Sequence, residues 1–196
     1  MPRRDGLEDY RSKRDFRRTN EPGAARGRTG NAPRFVVQKH DARSRHYDFR
    51  LEADGVLKSW SVPEGPPTDP ADRVVATPTE DHPLEYEHFE GVIPDGQHGA
   101  GPVAVWDTGT YRNITEDDGE PVPVAEALRR GHLAVRLEGD KLQGDYALTK
   151  MRLRRTQGWL LVKMQDDRAS TGREVSRGGA EPVRDRSSLK QVRRAD

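Results

Sequence analysis

The sequence predicts a mainly β fold, a small closed β-barrel of about eight strands with one or two short peripheral helices. Between Phe35 and Met164, short apolar or alternating runs are separated by Gly, Pro and Asp at intervals of about 8–15 residues, as between strands. Only Val124–Arg130, ended by Gly131, has a helical pattern in this stretch. A sandwich is the alternative, but closure removes the exposed sheet edges that so many short strands would leave.

Composition divides the chain into three segments. Residues 1–33 form a basic, polar arm with a short helix near Leu7–Phe16, and residues 34–165 form the barrel domain. Residues 166–196 contain almost no apolar side chains that could offset the entropy of ordering, which predicts a disordered charged tail. Barrel strands are predicted at Phe35–His40, His46–Glu52, Lys58–Val62, Arg73–Pro78, Pro102–Thr108, Leu133–Glu138, Gly144–Thr149 and Trp159–Met164.

The composition also excludes several classes of protein. With 196 residues, of which 32% are hydrophobic, the chain can enclose one modest core. The absence of Cys excludes disulfides and thiolate metal sites, so any metal ligands are His or carboxylate. No apolar run approaches the roughly 20 residues that span a bilayer, and no signal-peptide core follows Met1–Arg4, which predicts a soluble intracellular protein.

Charge is distributed unevenly along the chain. Residues 1–34 hold 10 basic and 5 acidic residues, net +5, whereas residues 35–164 hold 16 and 22, net −6, and residues 165–196 hold 8 and 6, net +2. A purely electrostatic nucleic-acid binder carries its positive charge on the folded body. A divalent cation bound to the acidic body is the simplest local attraction for phosphate, although an ordinary surface charge distribution remains the alternative.

The most informative stretch is FVVQKHDARSRHYDFRLEADG, residues 35–55. Side chains alternate across a strand, so its second strand has an apolar face and a reactive face. The reactive face carries His46, Asp48 and Arg50. On the preceding strand Gln38 and His40 share a face, and the short polar loop between the strands predicts a hairpin that brings His40 beside His46 and Asp48.

Two imidazoles and one carboxylate on a rigid sheet are typical of a metal site with open positions. Mixed nitrogen and oxygen ligands favour Mn²⁺ bound with low selectivity, with Zn²⁺ or Co²⁺ as alternatives. Arg50 lies one step further along the same face, where its planar fork can grip a phosphate. A hairpin with a solvated polar face remains an alternative that the pattern alone leaves open.

A second polar stretch, residues 79–111, adds Glu80, His82 and Tyr86, the side-chain types that general acid–base chemistry or phosphate contact would use. A purely structural role stays open for each of them. The glycines Gly91, Gly96, Gly99 and Gly101 lack the context of a phosphate-binding loop and predict turns.

Several strings in this sequence resemble the 3′-phosphoesterase domain of bacterial DNA ligase D. They are FVVQKHDARSRHYDFRLEADGVLKSWSVPEGP, EDHPLEYEHFEGVIPDGQHGAG and VWDTGTY, followed by LEGDKLQGDYALTK and WLLVKMQDD. The likeness covers about residues 7–168. So many motifs in one order favour the family over coincidence.

The resemblance implies a Mn²⁺-dependent enzyme that removes a 3′-terminal ribonucleoside and then the remaining 3′-phosphate during non-homologous end joining. It implies partners as well: DNA or DNA/RNA 3′ ends at primer–template junctions, and the DNA ligase, polymerase and Ku of end joining. It is consistent with a cytoplasmic, nucleoid-associated monomer without a membrane partner.

By the same resemblance, the metal ligands are His40, His46 and Asp48. Phosphate contact and catalysis are assigned to Arg50, His82, Tyr86 and Glu80. Substrate binding is assigned to Gln38 and Arg73 and to three arm residues in the RDF…EP pattern, Arg14, Asp15 and Glu21, which would place the arm over the active site.

Two positions depart from the family pattern. Glu64 stands where the family usually has Lys in its VPKGP turn, and the basic residue expected beside Val74 lies one position away at Arg73. Because the dianionic phosphomonoester depends most on cations, we expect diesterase activity to survive better than monoesterase activity.

Two other functions remain open from the sequence. A catalytically weakened module that only binds nucleic-acid ends would be consistent with Glu64 and the displaced Arg73. A non-haem iron oxygenase also uses two His and one carboxylate, often with His-x-Asp on a strand, and His132 would then be the natural distant ligand.

Overall fold

The computed structural model describes residues 6–152 and 157–169. Within them, helices are α1 (Glu8–Ser12) and α2 (Val124–Arg130), and a 3-10 helix covers Leu84–His88. The strands are β1 (Arg34–Asp41), β2 (Arg45–Ala53), β3 (Val56–Val62), β4 (Val74–Pro78), β5 (Gly91–Ile93), β6 (Gly101–Asn113), β7 (Glu116–Asp117), β8 (Glu120–Pro121), β9 (His132–Gly139), β10 (Gln143–Arg152) and β11 (Gln157–Lys163).

Eight of these strands close into an antiparallel barrel. Their order is β1, β2, β3, β4, β11, β10, β9 and β6, and β6 pairs back onto β1. The predicted mainly β barrel of about eight strands with two short helices is therefore confirmed. Strand β5 pairs with the first three residues of β6, and β7 and β8 form a separate two-stranded ribbon.

All eight strands predicted from the sequence are found, and β6 differs most from its predicted bounds. It continues to Asn113 instead of ending at Thr108. A Cβ on Gly109 would lie 2.1 Å from the carbonyl oxygen of Glu138, so this glycine permits close approach of β9 within a continuous strand. The N-terminal helix is shorter than predicted and ends at Ser12.

The hydrophobic residues form two clusters, one inside the barrel and one on its outer surface. Phe35 and Val37 of β1 point inside, whereas Val36 belongs to the outer cluster. Leu7 and Tyr10 of the arm are fully buried in the outer cluster. Burial of a Leu side chain of this kind stabilises the folded state by about 2 kcal/mol, and this holds the arm against the barrel.

The alternation predicted for β2 explains where the reactive face lies. Tyr47, Phe49 and Leu51 pack in the barrel interior, which leaves the opposite face of β2 on the outside, under the arm and the 3-10 helix.

The predicted tail at 166–196 lies outside the described residues except for its first four positions. Neither helix of the described chain has the length and apolar character needed to cross a membrane.

Candidate active site

Strand register brings two histidines and an aspartate together at the end of the β1–β2 hairpin. His40 lies directly opposite His46, and Gln38 lies directly opposite Asp48. The two imidazole centroids are 4.7 Å apart. One ligand atom from each of His40, His46 and Asp48 lies within 4.8 Å of the others, so these residues form a group that can hold a metal ion.

Backbone carbonyls orient both imidazoles. His40 Nε2 lies 2.8 Å from the Gly99 carbonyl oxygen, and His46 Nδ1 lies 2.9 Å from the Ser44 carbonyl oxygen. Because a carbonyl oxygen only accepts, these two nitrogens carry the protons and donate. In the neutral imidazoles that metal binding requires, the remaining nitrogens, His40 Nδ1 and His46 Nε2, carry lone pairs.

Those lone pairs face the carboxylate of Asp48, at 3.5 Å from His40 Nδ1 and 3.7 Å from His46 Nε2. Two imidazole nitrogens that face a carboxylate require a positive charge among them, which either protons on the rings or a metal ion supplies. Metal-binding histidines almost always donate their other ring N–H to a carbonyl or carboxylate, as both histidines do here. The donor set therefore fits a divalent cation.

The carboxyl group of Asp48 is held in its ionised form. Burial alone raises the pKa of Asp48, but the positive charge of Arg50 and the contact with His40 outweigh burial and leave the pKa lower than usual. Arg50 Nη2 lies 3.3 Å from Asp48 Oδ2. An ionised carboxylate is the form that a metal ion requires.

Arg50 is itself buried and fixed at several points. Its Nε donates to Gln38 Oε1 at 2.8 Å, and its Nη1 donates to Ser59 Oγ at 2.8 Å. The Gln38 amide in turn donates to the Tyr86 and Phe89 carbonyls at 3.0 and 2.9 Å. The guanidinium is thus positioned rigidly beside the Asp48 carboxylate.

His82 lies between two arginines. Its Nδ1 is 2.8 Å from the Glu80 carbonyl oxygen and 3.0 Å from Arg50 Nη1, and its Nε2 is 3.2 Å from Arg14 Nη2. In the tautomer with the proton on Nδ1, the ring donates to Glu80 and accepts from Arg14. Burial, together with the charges of Arg50 and Arg14, holds the pKa of His82 well below its ordinary value. The imidazole is therefore neutral at pH 7, with a lone pair directed towards Arg14.

The arm supplies an ion-pair network to the same region. Arg14 donates to Glu21 at 2.9 Å and to Glu80 at 3.0 Å, and its side chain is 4% exposed. The Tyr86 hydroxyl donates to Glu21 at 2.8 Å. Burial raises the pKa of Tyr86 well above its ordinary value, and the Glu21 charge adds to this effect, so the phenol keeps its proton.

These side chains enclose a pocket of about 200 Å³, named here the catalytic pocket. Eight residues that the sequence singled out line it: Arg14, His40, His46, Asp48, Arg50, Glu80, His82 and Tyr86. Gln38 and Glu21 do not line it but bond to residues that do.

The sequence matches the family model of the DNA ligase D 3′-phosphoesterase domain over residues 38–150, more than half of the chain. The chain belongs to this family. The family resemblance seen in the sequence is thus confirmed, and membership places the chain in a class of phosphoesterases, hydrolases of phosphate esters.

Three curated relatives extend the comparison beyond the matched region. The chain is 48% identical over 172 residues to the multifunctional non-homologous end joining protein LigD of Pseudomonas aeruginosa, covering 86% of the chain and 20% of that protein. It is 44% identical over 170 residues to the LigD repair protein of Mycobacterium tuberculosis, covering 85% and 21%. For Mycolicibacterium smegmatis LigD the identity is 42% over 173 residues, covering 85% and 22%. The chain spans about a fifth of the length of these relatives.

Two residues predicted to bind substrate, Asp15 and Arg73, lie apart from the catalytic pocket. Asp15 is exposed, and its carboxylate accepts from the Arg17 backbone N–H at 3.1 Å, which shapes the turn after α1. Arg73 is exposed just before β4, and its guanidinium donates to the carbonyls of Pro70 and Asp72.

His98 and Gly99 are among the residues of the catalytic pocket that the sequence did not assign to the site. His98 lines the pocket with its side chain 52% exposed, and its Nε2 lies 3.8 Å from Glu80 Oε1. Gly99 has φ +76°, and a Cβ there would lie 3.4 Å from His40 Cε1. The sequence signal for both was the glycine cluster, which marked turns correctly but gave no indication that one turn orients a histidine.

Proposed function

We propose that this chain is a Mn²⁺-dependent 3′-end-processing phosphoesterase. It removes 3′-terminal ribonucleosides, and then 3′-phosphates, from DNA or RNA primer ends in non-homologous end joining. The observation that carries the proposal is the group His40, His46 and Asp48 beside a buried Arg50 in one pocket. Membership of the 3′-phosphoesterase family supports the same substrate class.

His40, His46 and Asp48 would hold the cation. When bound, a divalent ion there supplies Lewis-acid stabilisation of a phosphoryl oxygen. Mixed imidazole and carboxylate ligands suit Mn²⁺, and Zn²⁺ and Co²⁺ are compatible with the same donors.

Arg50 and Arg14 would balance the charge of the phosphoryl group. Both guanidiniums are at least nine-tenths buried, so water screens their charge only weakly, and both lie against His82. Charges that are already positioned lower the barrier most, because they need no reorganisation in the transition state. Glu21, Glu80 and Gln38 are positioning residues, which fix the two guanidiniums through hydrogen bonds.

His82 would act on the leaving oxygen. In the ligand-free pocket its pKa is lowered by burial and by two arginines. The negative charge of a bound phosphate ester beside the ring offsets those arginine charges and raises the pKa again, so that Nε2 can take a proton and deliver it to the departing oxygen.

The nucleic-acid partner fits the charge distribution. The arm that supplies Arg14 belongs to the segment with net charge +5, whereas residues 35–164 carry net −6. A basic arm beside the pocket can contact the strand backbone, while the acidic body holds the cation. The LigD relatives are named as end-joining proteins, and we therefore extend the proposal to ligase, polymerase and Ku as partners.

The direct test incubates the metal-stripped protein with a labelled primer–template that ends in one ribonucleotide, with and without Mn²⁺. We expect Mn²⁺-dependent conversion to a 3′-phosphate and then to a 3′-hydroxyl, with the second step slower. Absence of any Mn²⁺-dependent product would contradict the proposal. Tight binding of the same primer without turnover would instead favour an end-binding module.

The second step is expected to respond to residue 64. Glu64 is exposed in the turn after β3, beside the His46 end of β2, because Val62 pairs with Tyr47. The variant Glu64→Lys exchanges an anion for a cation there and should raise the rate of 3′-phosphate removal by about threefold, a small effect because solvent screens a surface charge. Single-turnover assays on a 3′-phosphate primer measure this, and Glu120→Lys on the distant β8 is the matched control.

An unchanged monoesterase rate in Glu64→Lys would show that residue 64 does not influence the phosphate.

The oxygenase alternative has no support in this geometry. His132 lies on β9 with its Nδ1 3.1 Å from Thr149 Oγ1, and it is not part of the group formed by His40, His46 and Asp48.

A further inference from the structure

The loop between β5 and β6, residues 94–100, is held against the end of strand β1. Two backbone hydrogen bonds, of 3.1 and 3.2 Å, close successive turns within the loop. The Gly99 carbonyl accepts from His40, and a Cβ on Gly101 would lie 2.5 Å from a backbone carbonyl oxygen at the end of β1. This close packing fixes the position of His98, which the loop carries at the catalytic pocket.

His98 differs from the other histidines of the catalytic pocket, because its side chain makes no hydrogen bond within the described chain. His40, His46 and His82 each have a ring nitrogen 2.8 or 2.9 Å from a backbone carbonyl oxygen. His98 Nε2 lies 3.8 Å from Glu80 Oε1, and the Glu80 carboxylate already accepts from two cations of the arm. An imidazole offers two ring nitrogens to hydrogen-bond partners. Both nitrogens of the exposed His98 ring are therefore available to a ligand.

The catalytic pocket is too small to enclose a whole nucleotide. Its volume of about 200 Å³ lies below the range of about 300–1,000 Å³ that is typical of pockets for small molecules. A phosphoryl group beside Arg50 would lie inside the pocket, so the nucleoside joined to it must lie at the opening. Among the described residues that line the pocket, Thr79 and His98 are exposed and mark this opening. No wall separates His98 from the phosphate, because His98 lines the same pocket.

Charge indicates which part of the substrate lies beside His98. Residues 74–111, which include the loop, hold seven acidic residues and no Lys or Arg. Such a segment repels the phosphates of a nucleic-acid strand, which is expected on the side of the basic arm. The terminal nucleoside carries no phosphate other than the one that reacts, so an acidic loop does not repel it. The nucleoside therefore fits the side of the opening where His98 lies.

We propose that His98 binds the terminal ribonucleoside, the leaving group of the diesterase step, through hydrogen bonds to its sugar hydroxyls. The inference rests on the proposed function and deepens it. In that step water adds to phosphorus, and the bond from phosphorus to the nucleoside 5′ oxygen breaks. That oxygen departs with a proton as the 5′-hydroxyl of a free nucleoside, and the strand keeps a 3′-phosphate. A substrate that ends in a 3′-phosphate has no such nucleoside for His98 to bind.

The test replaces His98 by alanine and measures single-turnover rates, below saturation, on a primer ending in one ribonucleotide and on a 3′-phosphate primer. We expect the ratio of the diesterase rate to the monoesterase rate to fall by about three- to tenfold, as for loss of one hydrogen bond to substrate. His98→Gln keeps a donor and an acceptor, so it should retain more of this ratio than His98→Phe, which keeps only a flat ring. His88→Ala is the matched control. It removes the same side chain from an exposed position on the 3-10 helix that does not line the catalytic pocket, and it should leave the ratio unchanged.

Binding of the same two primers to the metal-stripped protein provides a readout that needs no turnover. By fluorescence anisotropy, His98→Ala should lose affinity for the ribonucleotide primer relative to the 3′-phosphate primer, again by about three- to tenfold. An unchanged rate ratio, an equal fall of both rates, a ratio kept in His98→Phe but lost in His98→Gln, or absence of the affinity difference would overturn the assignment. The expected affinity difference in a protein whose wild type cleaves neither primer would instead count against the proposed phosphoesterase function alone.

Discussion

Replacing His46 by alanine is expected to reduce Mn²⁺ affinity by at least about 100-fold, because loss even of an outer-shell partner of a metal ligand typically costs about 10–100-fold. His46 offers one of the three ligand atoms of the proposed metal site, and its Nε2 lies 3.7 Å from Asp48 Oδ1. Turnover of both the diester and the monoester should fall together, since both steps use the same cation. Isothermal titration with Mn²⁺ and product analysis on the labelled primer measure the two effects.

His132→Ala is the matched control for this substitution. It removes the same side chain from an exposed position on β9 that is not part of the metal group. We expect wild-type metal affinity and activity from it, which would also argue against an oxygenase that uses His132. Normal Mn²⁺ binding and normal turnover in His46→Ala would refute the assignment of the metal ligands.

The barrel could be predicted because a local sequence pattern encodes each of its strands. Each of the eight barrel strands is a short run with its own apolar face, and glycine or proline marks most of its ends. The extension of β6 through Gly109 was not visible, because a glycine that ends a strand and a glycine that admits a neighbouring backbone have the same sequence signal. That distinction depends on β9, about 30 residues away in the chain, which local patterns do not report.

The candidate site also has a local part that the sequence predicts and a long-range part that it does not. Alternation and a short loop were sufficient to place His40 beside His46 and Asp48, because the hairpin is local. The contacts of Arg14 with Glu80 and of Tyr86 with Glu21 join residues 65 or more positions apart. Nothing in residue spacing encodes such pairs, and only the family resemblance pointed to them.

Arg50→Lys is expected to lower the turnover rate by about 100- to 1,000-fold, the range seen when a positioned electrostatic group is lost from an active site. The substitution keeps the positive charge but loses the fork. Arg50 reaches Gln38 through Nε, Ser59 through Nη1 and Asp48 through Nη2. A lysine ammonium on a flexible stem cannot occupy all three positions, so the charge would no longer be fixed beside the phosphoryl group.

Stability and metal binding separate the possible causes of that loss. Leaving the buried Gln38 oxygen without its donor should cost about 1–3 kcal/mol of unfolding free energy, measured by denaturant titration. Mn²⁺ affinity should change little, because His40, His46 and Asp48 remain. Arg45→Lys, on the same strand but exposed and paired with Asp41, is the control and should retain wild-type turnover.

If Mn²⁺ affinity in Arg50→Lys fell as far as turnover did, Arg50 would act by holding Asp48 rather than by contacting phosphate. A turnover rate near that of the wild type would exclude both roles.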